Sequence, residues 1–414
     1  MLAHKIDFAP ERDVEIFAAL PAGPAVFLLR SESGEPYVAK SADLRRRLTR
    51  LLGPPEEGGK RLNLRGRCPS IEYTLTGSDF ESRLLLYQVL RAEFPKSYRE
   101  RMKLRLAPLI KLNLENPFPR AYVTRRIAKL NSPSRYYGPF PSRAAAEKFM
   151  NAVLDFFKVR RCDFDLNPDP SFPGCMYSEM KMCLAPCFKG CTDQQYGAEV
   201  ARVQQFFETS GQSLVRELEA ERERASTDLQ FESAASVHAR TEKVRGILGS
   251  AMLPQIVRPI DKLQGIIIQR SALQEAVALF RIQSGCISGP VVFTPDAAGP
   301  PQSSLRPDAR PTRNVPPRSM ESRIEELLHS SPATPPHSAS EINEHLALLK
   351  RWYYRSRRDG EIFFADESGD LPLRRIVRGI GRVLKGEKPE AGDTEEAHRA
   401  YWLARTRAPS EPQT

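Results

Sequence analysis

At 414 residues the chain can hold more than one hydrophobic core, and the usual size of a domain predicts two or three joined by linkers. Its 62 Lys and Arg exceed 51 Asp and Glu by a net charge of +11, which favours a polyanionic partner such as nucleic acid or an anionic membrane surface. Apolar runs such as 265–268 and 276–280 are far too short to cross a bilayer, and the first residues lack a secretory apolar segment, so the expected location is the cytoplasm. In that reducing setting the seven cysteines, five of them between 162 and 191, read as metal ligands or buried thiols rather than disulfides.

Residues 25–30 (AVFLLR) and 36–40 (PYVAK) read as two short strands with Ser33-Gly34 as the hairpin turn. A helix over 41–52 follows, with Leu44, Leu48 and Leu51 on one face and Arg45, Arg46, Arg47 and Arg50 around it. Another strand is expected at 71–76. Ser78 then caps a helix that runs to about Phe94, where Pro95 ends it, and Glu81 is expected to reach back to Ser78 in a capping box. This order predicts a small α+β domain over 1–100. Alternating segments at 107–113 and 120–127 suggest further sheet, and a helix at 144–157 leads to a Pro-, Asp- and Cys-rich loop at 162–191, which closes a second unit over 101–192. Helices at 213–228 and 231–248, joined around Leu229-Gln230 by very few residues, predict an antiparallel hairpin within 193–249. Strand-like runs occupy 264–294 of a unit at 250–294. Pro, Ser, Asp and Arg dominate 295–320, read as a flexible linker. A helical region at 321–388, with a helix at 341–352, and a disordered tail at 389–414 complete the chain.

The pattern AVF, then YVAK, then ADLRRRL is similar to the GIY-YIG nuclease motif of the UvrC excinuclease family. In that family two tyrosines and an arginine converge on a scissile phosphate, and a helical glutamate holds one divalent metal. The resemblance implies that Tyr37, Lys40 and Arg47 stand for the second tyrosine, the basic residue and the catalytic arginine. Such groups suit phosphodiester hydrolysis, because cations offset charge developing on the phosphoryl oxygens and a phenol orients the attacking water. The departures are equally specific. Phe27 replaces the first tyrosine, Ala39 a glycine and Leu51 a further tyrosine, and Tyr87 ends a Leu84-Leu85-Leu86 run where the family has its metal glutamate. A phenol does not hold magnesium as a carboxylate does. Glu81 is the nearest upstream carboxylate but is expected to cap its helix, and Glu93 is expected on the solvated surface.

The segment YYGPFP at 136–141 resembles the family's YFGPFP signature and, as in the family, precedes a helix and a cysteine loop. Cys162, Cys175, Cys183 and Cys187 supply four thiolates within one loop, enough for tetrahedral zinc or a [4Fe–4S] cluster, with reduced buried thiols as the plainer alternative. The stretch MCLAPC at 182–187 resembles the family's CLGPC, and the resemblance implies the iron–sulfur cluster. Cys191 is a fifth candidate, whereas Cys68 and Cys286 are isolated. The helical hairpin is similar to the UVR motif through which the UvrB and UvrC proteins recognise each other. Its apolar residues, Leu214, Leu218 and Ala225 on one helix and Phe231, Ala234, Ala235 and Val244 on the other, leave much surface wet unless a second hairpin or the protein's own body covers it. The partner-binding set is therefore Leu218, Phe231, Ala234, Ala235 and Val244, with His238 an ordinary surface residue.

Full-length members of that family continue into an RNase H-like nuclease and helix–hairpin–helix motifs. Here the Pro-rich segment arrives where the acidic motifs should follow, so the second nuclease is expected to be absent. Gly379-Ile-Gly381 fits a glycine-containing surface helix better than a DNA hairpin, and RWYYRSRR at 351–358 suits either phosphate binding or an amphipathic helix end. Two functions survive: a shortened excinuclease that makes one incision with Mg²⁺ or Mn²⁺, or a degenerate module that binds a UvrB-like protein and damaged double-stranded DNA without cutting. A structured-RNA binder is a third. No membrane partner is expected.

Overall fold

The computed structural model describes residues 2–31, 34–55, 62–249, 253–295, 319–330, 338–356, 358–366 and 368–387. Ser33, most of the expected linker at 295–320 and the tail at 389–414 lie outside the described residues. The chain is a mixed α+β protein, with three antiparallel sheets of four strands each among the described residues.

In the first sheet, β1 (His4–Asp7) and α1 (Asp13–Ala19) precede the expected hairpin of β2 (Ala25–Arg30) and β3 (Tyr37–Ser41). Then come α2 (Leu44–Leu52), β4 (Ser70–Leu75) and α3 (Asp79–Glu93). The strand order is β1-β4-β2-β3, which leaves β3 at an edge. β2 is covered on both faces, which explains why AVFLLR reads as a continuous apolar run. Asp43 caps α2 by accepting the Arg46 N–H at 3.0 Å, and Ser78 caps α3 by accepting the Glu81 N–H at 3.1 Å. The expected return bond goes elsewhere: the Glu81 carboxylate accepts the Gly77 N–H at 2.8 Å, one residue before the cap.

The second sheet follows α4 (Tyr98–Met102) and contains β5 (Leu109–Asn113), β6 (Arg120–Thr124) and β7 (Arg135–Gly138), joined later by β8 (Arg258–Pro259) in the order β6-β5-β7-β8. The YYGPFP segment supplies β7 and a tight turn. Gly138 has φ +156°, and a Cβ there would meet the Leu109 side chain at 2.6 Å. Tyr137 stacks on Phe207 with centroids 4.4 Å apart, so the aromatics of this motif belong to the core. α5 (Arg143–Leu154), the short α6 (Met176–Glu179), α7 (Asp193–Glu208), α8 (Gln212–Thr227) and α9 (Phe231–Leu248) complete this half, and α8 and α9 lie side by side.

The third sheet combines β9 (Gly265–Arg270), β10 (Val277–Gln283) and β11 (Cys286–Phe293) with a strand from much later in the chain. After α10 (Met320–Ser330) and α11 (Ala339–Tyr353), β12 (Glu361–Phe364) pairs with β9, and α12 (Leu373–Lys385) packs on the result. The region read as helical at 321–388 thus contributes a strand, β12, to the sheet begun at 265. IVRGIGRVLKG lies within one helix, with Gly379 so close to Phe363 that a Cβ would meet its ring at 2.6 Å. A helix–hairpin–helix turn is therefore not formed there. α11 is buried at every position from Ile342 to Leu349 and belongs to the largest core, which runs from Phe80 to Ile362. No helix among the described residues is long and apolar enough to cross a membrane.

Candidate functional site

Strand geometry divides the residues that the GIY-YIG resemblance groups together. Successive side chains of a strand point to opposite faces, so Tyr37 and Lys40, three residues apart, leave β3 on different sides. Tyr37 and Ala39 pack toward the small N-terminal core with Phe27, and Val38 packs toward the larger core. On the α2 side, Arg47 donates to the Tyr37 hydroxyl at 2.8 Å. The leucines of α2 are buried, and this holds Arg47 in place beside β3. On the α3 side, Lys40 forms an ion pair with Asp79 at the start of that helix. Asp79 also accepts from Arg83 and Arg355 at 2.7 Å each. Burial pushes the Asp79 carboxyl up, but the bonds from Lys40 and Arg83 outweigh it and hold the group at about 2.

The altered positions are sealed. Phe27 is 0 % exposed in the middle of β2, 6.1 Å from the Tyr37 ring centroid to centroid, so its ring belongs to the N-terminal core. Leu51 is likewise buried. Tyr87 is 1 % exposed, and its hydroxyl donates to Glu344 of α11 at 2.7 Å. Glu344 also accepts from the Tyr98 hydroxyl and from Arg99, each at 2.7 Å. Burial raises the Glu344 carboxyl, yet these three donors bring it below its ordinary value; burial first, then Glu344, pushes the Tyr87 phenol up. The other carboxylates of α3 are engaged as well. Glu81 is buried on the Gly77 N–H, and Glu93, expected on the solvated surface, instead makes a two-pronged bond with Arg30 at 2.8 and 2.9 Å. Glu344 carries no signal in the sequence. Its partner Tyr87 lies 257 residues away, beyond the reach of any local pattern.

The cysteine loop hangs from the second sheet. All seven cysteines are free thiols. Cys183 feels the charges of Cys162, Cys187 and Cys175, so the four expected residues share one neighbourhood; burial first, then these thiols, pushes Cys183 up to about 11. Cys191 feels Cys187 as well. Among the described residues no three Cys, His, Asp or Glu side chains stand grouped so as to hold one metal ion. The Ala185 N–H donates to Cys183 Sγ at 3.3 Å, and the buried Arg160 reaches Cys162 Sγ at 3.7 Å.

In the hairpin, the partner-binding set splits. Leu218 and Val244 are buried in the protein's own core and hold α8 and α9 together, so they cannot face a partner. Ala234 is half-buried and Ala235 and His238 are exposed. Phe231 is 67 % exposed, and beside it Leu229, in the left-handed region at φ 57°, is 71 % exposed. An apolar residue in so short a helix connection, three residues between α8 and α9, is a legible sign in the sequence.

Residues 107–206 match the family model described as UvrC/Cho excinuclease, middle domain. That segment contains β5, β6, β7, α5 and the cysteine loop. The chain is similar to UvrABC system protein C of Carboxydothermus hydrogenoformans, 29% identical over 66% of this chain and 44% of that protein. It is 32% identical to UvrABC system protein C of Idiomarina loihiensis over 51% of this chain and 34% of that protein. The namesake from Methanothermobacter thermautotrophicus is 28% identical over 65% and 45%. The chain thus spans less than half the length of these relatives. No solved structure matches. The matches show similarity to UvrABC system protein C over part of the chain and to the UvrC/Cho middle domain within it.

Proposed function

We propose that the chain is a UvrC-like component of nucleotide excision repair that joins a UvrB-like protein on damaged duplex DNA and does not itself cut through its N-terminal domain. The observation that carries this reading is the burial of Tyr87 on Glu344, together with the engagement of every acidic side chain of α3. A divalent metal needs a carboxylate with free oxygens facing the substrate. The Arg47–Tyr37 pair favours the rival reading, an enzyme making one incision with Mg²⁺ or Mn²⁺, because it keeps one cation and one phenol where phosphate would lie.

The exposed tip of the α8–α9 hairpin supports docking on the UvrB-like partner, since Leu229 and Phe231 offer apolar surface next to a turn. Phe231→Asp is expected to weaken that complex by about tenfold or more in calorimetry, the usual scale for loss of an aromatic anchor, while the thermal midpoint stays put. Leu218→Ala, by contrast, should cost about 2–5 kcal/mol of stability. Equal affinity of Phe231→Asp and wild type would remove the docking assignment. Cys162, Cys175, Cys183 and Cys187 would hold a [4Fe–4S] cluster, which would cross-link the loop and order it. Anaerobically purified protein should then carry about four irons per chain; stoichiometric zinc without iron would favour the tetrahedral alternative.

A further inference from the structure

At the end of α11 the aromatic and cationic side chains of RWYYRSRR take separate roles. Trp352 is buried against Phe80 with ring centroids 5.2 Å apart, and its Nε1 donates to the Asp359 carbonyl at 3.0 Å. The Tyr354 hydroxyl donates to the Pro139 carbonyl at 2.9 Å. These rings clamp the helix end to α3 and to the turn after β7. The cations remain outside. Arg351 and Arg355 are exposed one helical turn apart, and Arg355 shares Asp79 with Lys40 and Arg83. Asn343 exchanges two hydrogen bonds with the Ile127 backbone, at 2.9 and 3.1 Å, which fixes the loop bearing Arg125 against the same helix.

The crowding is visible in the groups themselves. Arg351 lies within reach of the guanidinium groups of Arg83, Arg355 and Arg105, with Asp79 the opposite charge among them. Burial, then Arg125 and Arg105, holds Lys350 below its ordinary value. Asp79 is already divided among three cations. Like charges fixed this closely repel one another unless an anion arrives to offset them.

We infer that the end of α11, with Arg83 and Arg105, forms a phosphate-binding surface for duplex DNA that extends beyond the N-terminal domain. The inference rests on the repair reading above and adds the track of the duplex. β3 is an edge strand, so the Arg47 face and the Lys40 face meet at its rim, and α11 carries the cationic path onward. A duplex fits better than a single strand. Single-strand sites stack bases on exposed aromatic rings, whereas Trp352 here is buried and both Trp352 and Tyr354 are hydrogen-bonded to backbone.

The test is a titration of the full chain with a short duplex over a range of KCl concentrations, comparing wild type with Arg105→Gln/Arg351→Gln. Both residues are exposed and neither forms an ion pair among the described residues, so the fold, checked by circular dichroism, should persist. Each phosphate contact contributes about 0.9 to the slope of log affinity against log salt, so the double variant should lose about 2 from that slope and bind about tenfold more weakly at low salt. An unchanged slope in this variant, with a lower slope in Arg47→Ala, would overturn the α11 surface and leave the repair reading intact. No salt-dependent binding by wild type would overturn both. Tighter binding to a single strand or to duplex RNA would overturn the assignment to duplex DNA.

Discussion

The first turn and the middle of α3 place their polar groups in opposite surroundings. At its first turn Asp79 looks onto half-exposed cations, and that end keeps the charge pattern of a phosphate site. Two turns later Tyr87 is locked to Glu344, and its hydroxyl is part of the seam that binds α11 to the rest of the molecule. On the proposed function, attraction of phosphate and hydrolysis of phosphate would be separable here. The polar rim can bind without the buried end, but the buried end now contributes cohesion that a restored carboxylate would destroy.

The largest expected effect comes from trying to reverse that exchange. Matching sequences alone suggests that Phe27→Tyr with Tyr87→Glu would bring back some incision. The packing says otherwise, because the new carboxylate would face Glu344 in a buried site. We expect no cutting and a clear loss of stability in chemical unfolding, because Arg91, which donates to the Tyr87 hydroxyl at 3.0 Å, is already paired with Glu341 and would offset the new charge only in part. A stable double variant that cuts DNA would collapse the distinction between the two ends.

A pH experiment probes the seam without mutating it first. His345 is buried beside Tyr87, and its Nδ1 accepts the Ile287 N–H at 3.0 Å, which requires the neutral ring. Burial lowers it from 6.5 to about 4. Because the folded value is depressed, the unfolded chain takes up the proton first as pH falls. Stability from this group is complete above 6.5 and is lost progressively toward pH 4, by roughly 3 kcal/mol. Unfolding midpoints measured from neutral pH down toward pH 4 should fall less steeply in His345→Asn, which keeps an acceptor but does not titrate. Parallel curves would mean that the seam is open to water.

A smaller effect sharpens the contrast from the same residue. Tyr87→Phe keeps the ring and leaves Glu344 with Tyr98 and Arg99, so it should cost about 1.5–3 kcal/mol, the worth of one hydrogen bond to a charged group. DNA affinity should not change, since the buried hydroxyl cannot reach a phosphate at the cationic rim. A large affinity loss would tie the two ends together.

Local signals make much of this fold readable. Strand alternation and apolar runs mark β2 and β3, leucine spacing marks α2, and Ser78 marks the start of α3. The start of α7 is equally legible, because Thr192 and Gln195 form a reciprocal capping box, although the expected elements did not include it. The opposite-face placement of Tyr37 and Lys40 follows from their odd spacing alone. Other features have no local trace. β1 and β12 are four residues long, and each is defined by a partner far along the chain. α11 carries Asn343, Glu344 and His345 in its buried run, so it reads as amphipathic until Tyr87, Tyr98 and the Ile127 and Ile287 backbones supply their hydrogen bonds.

The central claim, that the chain binds duplex DNA but its N-terminal domain has lost the metal site for cutting, meets its most direct test in an incision assay. Wild type would be incubated with a UvrB-like partner and a damaged duplex in Mg²⁺ and then in Mn²⁺, with binding followed in the same reactions. The account predicts stable, salt-sensitive complexes and intact strands in both metals. Metal-dependent cutting by wild type that disappears in Arg47→Ala would contradict it.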